Sequence, residues 1–277
     1  MRHVIAVTSD HHCGSTIGLC PPSVRLDDGG TYHSSEPQKW MWEKWTRYWR
    51  QVAQEVAAKP GTKLVQVFNG DITDGDHHKT TQILSGNPVA QAQAVNASLA
   101  IPLAMKPKAM LFVRGTEAHV GPSAAFEERI ADGLRRDKRP VLGEEVTGNA
   151  SHWNAKLDIQ GVRFDFAHHG KMGTTAFTKG NITIRHAAEI FYEHAKRGEP
   201  HPHVAVRSHY HQFYDTGSAH PTRLIQTPAW QLATAFIHRI APGAIADVGG
   251  IIFVVEDGQL EVKPVVWHPD PMKRMVL

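Results

Sequence analysis

Acidic and imidazole side chains stand in five short clusters along this chain. In order they are Asp10 with His12, Asp71 with Asp74, Glu117 with His119, His168 with His169, and His209 with His211. Carboxylate oxygens and imidazole nitrogens without thiolates suit Mn, Fe, Zn, Ni or Co better than an all-oxygen Ca or Mg site. Roughly seven or eight ligands are too many for one ion, so the clusters predict two metals sharing a bridging carboxylate, a hydrolytic arrangement.

Each cluster follows an apolar segment that reads as a β-strand. Residues 3–9, 63–68 and 109–115 are predicted strands of the first half, and they alternate with predicted helices. The helices cover 38–59, 87–106 with a bend near Pro102, and 123–136 with Ser123 as N-cap. This alternation predicts parallel strands with helices on the sheet faces, and ligands gather beyond the carboxyl ends of such strands. We therefore expect the clusters to meet in one crevice.

The second half changes pattern and adds further strands. Residues 154–169 are two predicted strands around a Gln160–Gly161 turn, and 249–267 is a hairpin around Asp257–Gly258. Between them lie a helix over 181–198, capped by Gly198, and a strand within 203–211. With no linker, repeat or low-complexity segment, the sequence predicts one domain, 1–277, containing two sheets.

Composition limits the functional classes. The chain has 277 residues, a net charge of +3 and 41% hydrophobic residues, which fits a globular protein better than a dedicated nucleic-acid binder. Cys13 and Cys20 are its two cysteines, so no disulfide framework is indicated. The first strand leaves no room for a signal peptide, and no apolar run reaches about 20 residues. We expect a cytoplasmic protein without a membrane partner.

Taken singly, the patterns have ordinary structural explanations. The Asp71–Asp74 segment could be a turn, since Asp and Gly favour turns. Trp42, Trp45 and Trp49 recur at helical spacing, which is typical of core packing rather than of a ligand platform. What favours a metal site is the presence of all five clusters in one chain, each after an apolar strand.

Together the clusters resemble the calcineurin-like metallophosphoesterase superfamily. The matching segments are "SDHHCGS", "NGDITDG", "RGTEAH", "AHHG" and "SHYH", which stand in the family's order and span residues 10 to 211. Taken as a whole, the sequence is similar to those of compact bacterial or phage members of this superfamily. The resemblance implies a mixed α/β fold, an αββα sandwich of two mixed β-sheets flanked by helices.

The resemblance also implies roles for individual residues. Asp10, His12 and His211 would hold the first metal, Asp71 would bridge, and His169 and His209 would hold the second metal. His169 is preferred because the family's ligand directly precedes a glycine, and His168 remains the alternative. Asp74 would orient the catalytic imidazole and stabilise its charge.

Two positions depart from the family pattern. Ser208 replaces a glycine in the fifth motif, and residues 115–119, "GTEAH", replace GNH in the third. The asparagine whose carbonyl oxygen would reach the second metal is therefore missing. We expect Glu117 to supply that oxygen, with Thr116 as the other candidate, and His119 to supply the catalytic imidazole.

The implied activity is phosphodiester hydrolysis, with monoesters as a close second. A metal-bridging hydroxide would attack and His119 would act as general acid. The alternatives are a nuclease acting on DNA or RNA, which the modest charge supports only weakly, and a degenerate metal-binding member without activity. The Trp-rich helix and residues 170–181 are candidate pocket segments, and Arg185, His77 and His78 are candidate phosphate or supporting contacts. Oligomeric state stays open.

Overall fold

The computed structural model describes residues 1–77, 80–173, 175, 177–241, 243–270 and 275. Its strands are β1 (Arg2–Thr8), β2 (Ser23–Arg25), β3 (Thr31–His33), β4 (Lys63–Asn69), β5 (Ala109–Val113), β6 (Asn154–Ile159), β7 (Val162–His169), β8 (Val204–Ser208), β9 (Tyr214–Asp215), β10 (Arg223–Gln226), β11 (Val248–Glu256) and β12 (Gln259–Trp267). Its α-helices are α1 (Glu36–Ala57), α2 (Pro88–Ala104), α3 (Glu117–Val120), α4 (Ala125–Arg136), α5 (Lys179–Lys196) and α6 (Ala235–Ile240). None of the described helices is long and apolar enough to cross a bilayer.

Two large sheets form the centre of the fold. The first has the order β12-β11-β1-β4-β5, and β1, β4 and β5 run parallel while β11 and β12 are antiparallel. The second has the order β6-β7-β8-β10-β9, with β7, β8 and β10 parallel. Because β1, β4 and β5 are parallel neighbours, the segments that follow them leave the sheet at the same edge.

The sheets bury their alternating apolar residues against one another. Ile5, Val67 and Phe253 of the first sheet share one core with Phe164 and Val206 of the second. Helices α1, α2 and α4 cover the outer face of the first sheet, and α5 packs on β8 and β10 of the second. The fold is thus the expected α/β sandwich of two mixed sheets flanked by helices.

The aromatic stripe of α1 is core, as its spacing predicts. Trp45 and Trp49 are buried, with ring centroids 5.4 Å apart, and Trp230 packs edge-on against Trp45 at 4.8 Å. The predicted hairpins are also present, with positive φ at both residues of the Gln160–Gly161 and Asp257–Gly258 turns. These local patterns specify their structure because turn and face are set by nearby residues alone.

Ser123 is not the N-cap of the fourth helix, which corrects the prediction. It has φ 55° within the 3₁₀ turn Pro122–Ala124, and Ala124 precedes α4 with φ 53°. The Ser123 N–H donates to the carboxylate of Glu117 at 3.0 Å. A 3₁₀ turn therefore stands where the side-chain cap was expected.

Candidate metal centre

At least one residue of each of the five clusters lies in a common crevice beyond the carboxyl ends of the strands. The loops after β1 and β4 run side by side, because Asp10 N–H donates to the Gly70 carbonyl at 2.9 Å and His12 N–H to the Asp71 carbonyl at 3.0 Å. The loop after β5 joins them through the Thr116 N–H, which donates to Asp71 Oδ1 at 2.6 Å. The loops after β7 and β8 complete the crevice from the second sheet.

Five non-glycine residues of this crevice have a positive φ. Asp10, His12, Asp71, His209 and His211 all have φ between 44° and 80°, a region that non-glycine residues rarely adopt. Each such residue costs about 1–3 kcal/mol, and such strain persists mainly at functional sites. Five strained residues around one crevice point to a site that the fold holds in place for its chemistry.

Two glycines allow the close approach of these loops. A Cβ at Gly115 would lie 2.2 Å from Asp71 Oδ1, and one at Gly70 would lie 2.3 Å from His168 Nδ1. Any larger residue would displace Asp71 or His168. This explains why a glycine precedes Asp71 and another precedes Thr116.

The first group of donors is Asp10, His12 and His211. Asp10 Oδ1 lies 3.3 Å from His211 Nε2 and 4.0 Å from His12 Nε2, and the two Nε2 atoms are 3.2 Å apart. Asp10 Oδ1 is buried and makes no well-aligned hydrogen bond, whereas Oδ2 accepts from Ser9 Oγ at 2.6 Å. A buried carboxylate oxygen that lacks a well-aligned hydrogen bond and is surrounded by imidazole nitrogens suits a divalent cation, so these residues fit one.

The second group surrounds Asp71 and is richer in nitrogen. His168 Nε2 lies 3.0 Å from Asp71 Oδ2 and 3.8 Å from Asp10 Oδ1. Donor atoms of His168, His169 and His209 all lie within 4.8 Å of one another. His168 Nδ1 donates to the Asn69 carbonyl at 2.8 Å, which leaves Nε2 as the atom that faces the carboxylates.

The structure places both histidines of the adjacent pair at the second group. His168 is 1% exposed and has the direct contact with Asp71, whereas His169 is exposed and lies 3.3 Å from Thr116 Oγ1. The sequence preference for His169 alone therefore does not describe the geometry. His168 is at least as well placed to ligate.

Glu117 does not join the group, contrary to the expectation from sequence. Its side chain is exposed at the start of α3 and accepts from the Ser123 N–H, so the carboxylate is engaged in a turn. Thr116 has the nearer position, since its Oγ1 lies 3.3 Å from both His169 Nε2 and His209 Nδ1. The helix start at residue 117 turns the longer side chain outward.

Asp74 orients two imidazoles with different atoms. Its carboxylate Oδ1 lies 3.0 Å from His12 Nδ1 and accepts from Gln231 Nε2 at 3.2 Å. His119 Nδ1 instead donates to the Asp74 main-chain carbonyl at 2.9 Å and is 3.8 Å from Oδ1. The carboxylate therefore serves a candidate metal ligand, and the expected link to His119 runs through the backbone.

Burial and charge together set the protonation of the site. Burial opposes the charge on His168, but Asp71 and Asp10 outweigh it and raise its pKa to about 10. Burial would likewise raise the pKa of Asp10 and of Asp71, yet the His168 charge holds both well below their usual range. Burial lowers the pKa of His119 to about 4 and that of His209 to about 4. Those two rings therefore carry a free lone pair at neutral pH.

Glu127 is a supporting residue that no motif of the sequence indicates. It is 1% exposed on α4 and accepts from the Gly115 N–H at 2.5 Å and the Ile72 N–H at 3.3 Å. Burial and then the charge of Asp71 raise its pKa to about 8. One signal was available: Glu127 stands four residues before Ala131 on the buried face of the helix, where a carboxylate is unusual.

The remaining candidates lie at different distances from the site. His77 Nε2 is 3.5 Å from Asp74 Oδ1, and its ring contacts that of His119 at 4.3 Å between centroids. Arg185 is exposed on α5, and its proposed contact with phosphate stays a prediction. His78 lies outside the described residues, as do positions 174 and 176 of the candidate 170–181 segment.

No protein-family profile matches the chain, and no curated protein matches it. Among solved structures, it is similar to a hypothetical protein from Pyrococcus horikoshii at 8% identity, with 94% of this chain and 86% of that one covered and a TM-score of 0.44. Vps29 from Cryptosporidium parvum aligns at 8% identity over 97% and 99%, with a TM-score of 0.41. Vps29 from Entamoeba histolytica complexed with zinc aligns at 8% over 95% and 98%, with a TM-score of 0.37. Because these values are low, function has to be inferred from the chain's own geometry.

Proposed function

We propose that this protein is a metal-dependent phosphoesterase of the calcineurin-like kind, holding two divalent transition-metal ions. The observation that carries the proposal is Asp10 Oδ1, a fully buried oxygen without a well-aligned hydrogen bond. It lies 3.3 Å from His211 Nε2 and 3.8 Å from His168 Nε2, between the two groups of donors. Such a concentration of buried donors has a high desolvation cost unless cations neutralise it.

The protein's own residues would supply geometry. When bound, two such ions hold the oxygens of a phosphate ester and make a water molecule more acidic. Asp10, His12 and His211 would hold one ion, and His168 and His209 the other, with Asp71 between them. Asp74 and the Asn69 carbonyl fix the ring orientations of His12 and His168 through Nδ1. Glu127 keeps the loops of Asp71 and Thr116 together.

His119 would handle the leaving-group proton. Its Nδ1 is committed to the Asp74 carbonyl, so Nε2 is the atom that exchanges a proton with substrate. Burial lowers its pKa to about 4, which disfavours the imidazolium in the free protein. The negative charge of a bound phosphate ester acts in the opposite direction and favours that imidazolium. Proton donation by His119 would therefore depend on substrate being present.

The substrate class we propose is the phosphodiester, with monoesters second. A net charge of +3 spread over the chain gives little support to nucleic acid as the substrate. Labelled single-stranded and double-stranded DNA, incubated with the metal-loaded protein, would reveal a nuclease directly. If the protein cleaves a DNA strand faster than it hydrolyses small diesters, nucleic acid becomes the assigned substrate.

The central test compares small chromogenic esters. Protein treated with chelator and reloaded with Mn²⁺, Ni²⁺ or Zn²⁺ is assayed on bis-p-nitrophenyl phosphate and p-nitrophenyl phosphate. We expect metal-dependent hydrolysis that Asp10→Asn abolishes and that Asp76→Asn, which changes an exposed carboxyl two residues after Asp74, leaves intact. Loaded protein that cleaves neither ester, or chelated protein that cleaves both, contradicts the proposal.

A further inference from the structure

Two adjacent histidines on a β-strand normally point to opposite faces of the sheet. His168 and His169 end strand β7, yet donor atoms of both lie within 4.8 Å of the same His209 donor atom. Their ring centroids are 5.0 Å apart with the planes at 90°, so the rings approach the shared space from different directions. A feature of the backbone has to bring them together.

That feature is an irregularity in the pairing of β7 with β8. Phe166 pairs with Val206 and His169 pairs with Ser208, so β7 contains one more residue than β8 between these two pairs. An extra residue of this kind is a β-bulge, which re-aims side chains and is common beside active sites. The irregularity breaks the alternation of side chains along β7, which accounts for donor atoms of both His168 and His169 lying near His209.

Thr116 leaves space for the second imidazole. Its short side chain places Oγ1 3.3 Å from His169 Nε2 and 3.3 Å from His209 Nδ1. The longer Glu117 side chain, the other candidate for this place, is turned outward to Ser123. No carboxylate or amide of the third motif therefore competes with His169 for this position among the described residues.

We propose that His168 and His169 both ligate the second cation, together with His209 and Asp71, and make it a nitrogen-rich site. This inference rests on the proposed two-metal function and specifies its second site. Imidazole ligands favour Zn, Ni, Co or Fe over Mn and Mg, which prefer carboxylate and water oxygens. His169 thus makes the second site selective for the softer ions.

The test is metal binding, measured without turnover. Chelated protein is titrated with Co²⁺ by calorimetry and visible absorption, and then with Zn²⁺ against Mn²⁺ in competition. We expect wild-type protein to bind two ions. His169→Ala and His169→Gln should weaken the binding of the second ion at least about 10-fold and leave the affinity for the first ion unchanged. Both variants should also lower the preference for Zn²⁺ over Mn²⁺. Since the His169 ring is exposed, both variants should keep the unfolding temperature of the chelated wild type.

His201→Ala is the matched control, because it removes an imidazole that packs on Phe191 rather than in the crevice. It should bind both ions as wild type does. If the His169 variants bind two ions with wild-type affinity and spectrum, the inference is overturned while the proposed function stands. If wild-type protein binds fewer than two ions, both are overturned.

Discussion

Asp74 holds His12 with its carboxylate, at 3.0 Å from Nδ1, and holds His119 with its main-chain carbonyl, at 2.9 Å from Nδ1. One residue therefore orients a candidate metal ligand and the candidate proton donor independently. A mutation of the Asp74 side chain should therefore disturb the orientation of His12 but not that of His119, because only the contact with His12 is made by the side chain.

Asp74→Asn should weaken metal binding by about 10–100-fold, because the amide no longer provides the charge that orients His12 and strengthens it as a ligand. The His119 link persists, so protein reloaded at high metal concentration should regain most of its activity. Calorimetry and activity as a function of metal concentration measure both effects. Unchanged metal affinity would show that the carboxylate does not support His12.

His119→Ala should slow the hydrolysis of alkyl phosphodiesters by about 10²–10⁴-fold, which is the usual contribution of a general acid. Bis-p-nitrophenyl phosphate should lose much less, because its leaving group needs little protonation. Metal content serves as the control and should stay at the wild-type value, since His119 is not assigned as a ligand. Equal losses on both substrates would remove the general-acid role.

Glu127→Ala should lower both stability and metal affinity. It leaves the N–H groups of Gly115 and Ile72 without an acceptor, at about 1–3 kcal/mol for each buried group, and releases the loop that carries Asp71. Chemical denaturation and metal titration measure the two effects.

Glu128→Ala is the matched control on the same helix. Glu128 also accepts two main-chain N–H groups, those of Ala150 and Ser151, but away from the metal centre. It should lower stability while leaving metal affinity unchanged. Loss of metal affinity in both variants would indicate a general effect of instability rather than a specific role of Glu127.

Metal binding should release a proton from His168. In chelated protein its pKa of about 10 keeps the ring protonated at pH 8, and ligation at Nε2 must displace that proton. Calorimetry in buffers of different ionisation enthalpy measures the number of protons released on metal binding. When two ions bind, the wild type should release about one proton more than the His168→Gln variant. The ring's contribution to the stability of chelated protein is complete below its unfolded pKa of about 6.5 and is lost as pH rises through 10. No difference in proton release between the two proteins would contradict this protonation state.

His11 should contribute to acid sensitivity rather than to metal binding. It is 2% exposed, packed against Trp45 and Phe68, and burial lowers its pKa to about 3. The unfolded chain takes up this proton near pH 6.5, whereas the folded protein does not. The free energy of unfolding therefore falls as the pH drops from 6.5 towards 3, by about 1.4 kcal/mol for each unit by which the pKa is lowered. His11→Phe should flatten that part of the stability profile in chelator. An unaltered profile would show that another group dominates.

The elements of the fold were largely predictable because their signals are local. The Gln160–Gly161 and Asp257–Gly258 turns and the Trp45–Trp49 stripe require only neighbouring residues to specify them. Ser123 is not the N-cap because it lies inside the 3₁₀ turn Pro122–Ala124 with φ 55°, so that Ala124 stands at the start of α4 instead. The preference of serine for N-cap positions therefore gave the wrong helix start where the chain forms a 3₁₀ turn first.

The sequence by itself determined which residues could form a metal centre, because strand ends and side-chain chemistry are both readable from residue order. Only the tertiary structure decided their separate roles: that His168 contacts Asp71, that Glu117 turns outward, and that Glu127 supports the loops from behind. Those roles depend on a bulge in β7 and on hydrogen bonds between segments about fifty residues apart. Side-chain direction at such places is set by packing between strands and loops, which no pattern along a single chain encodes.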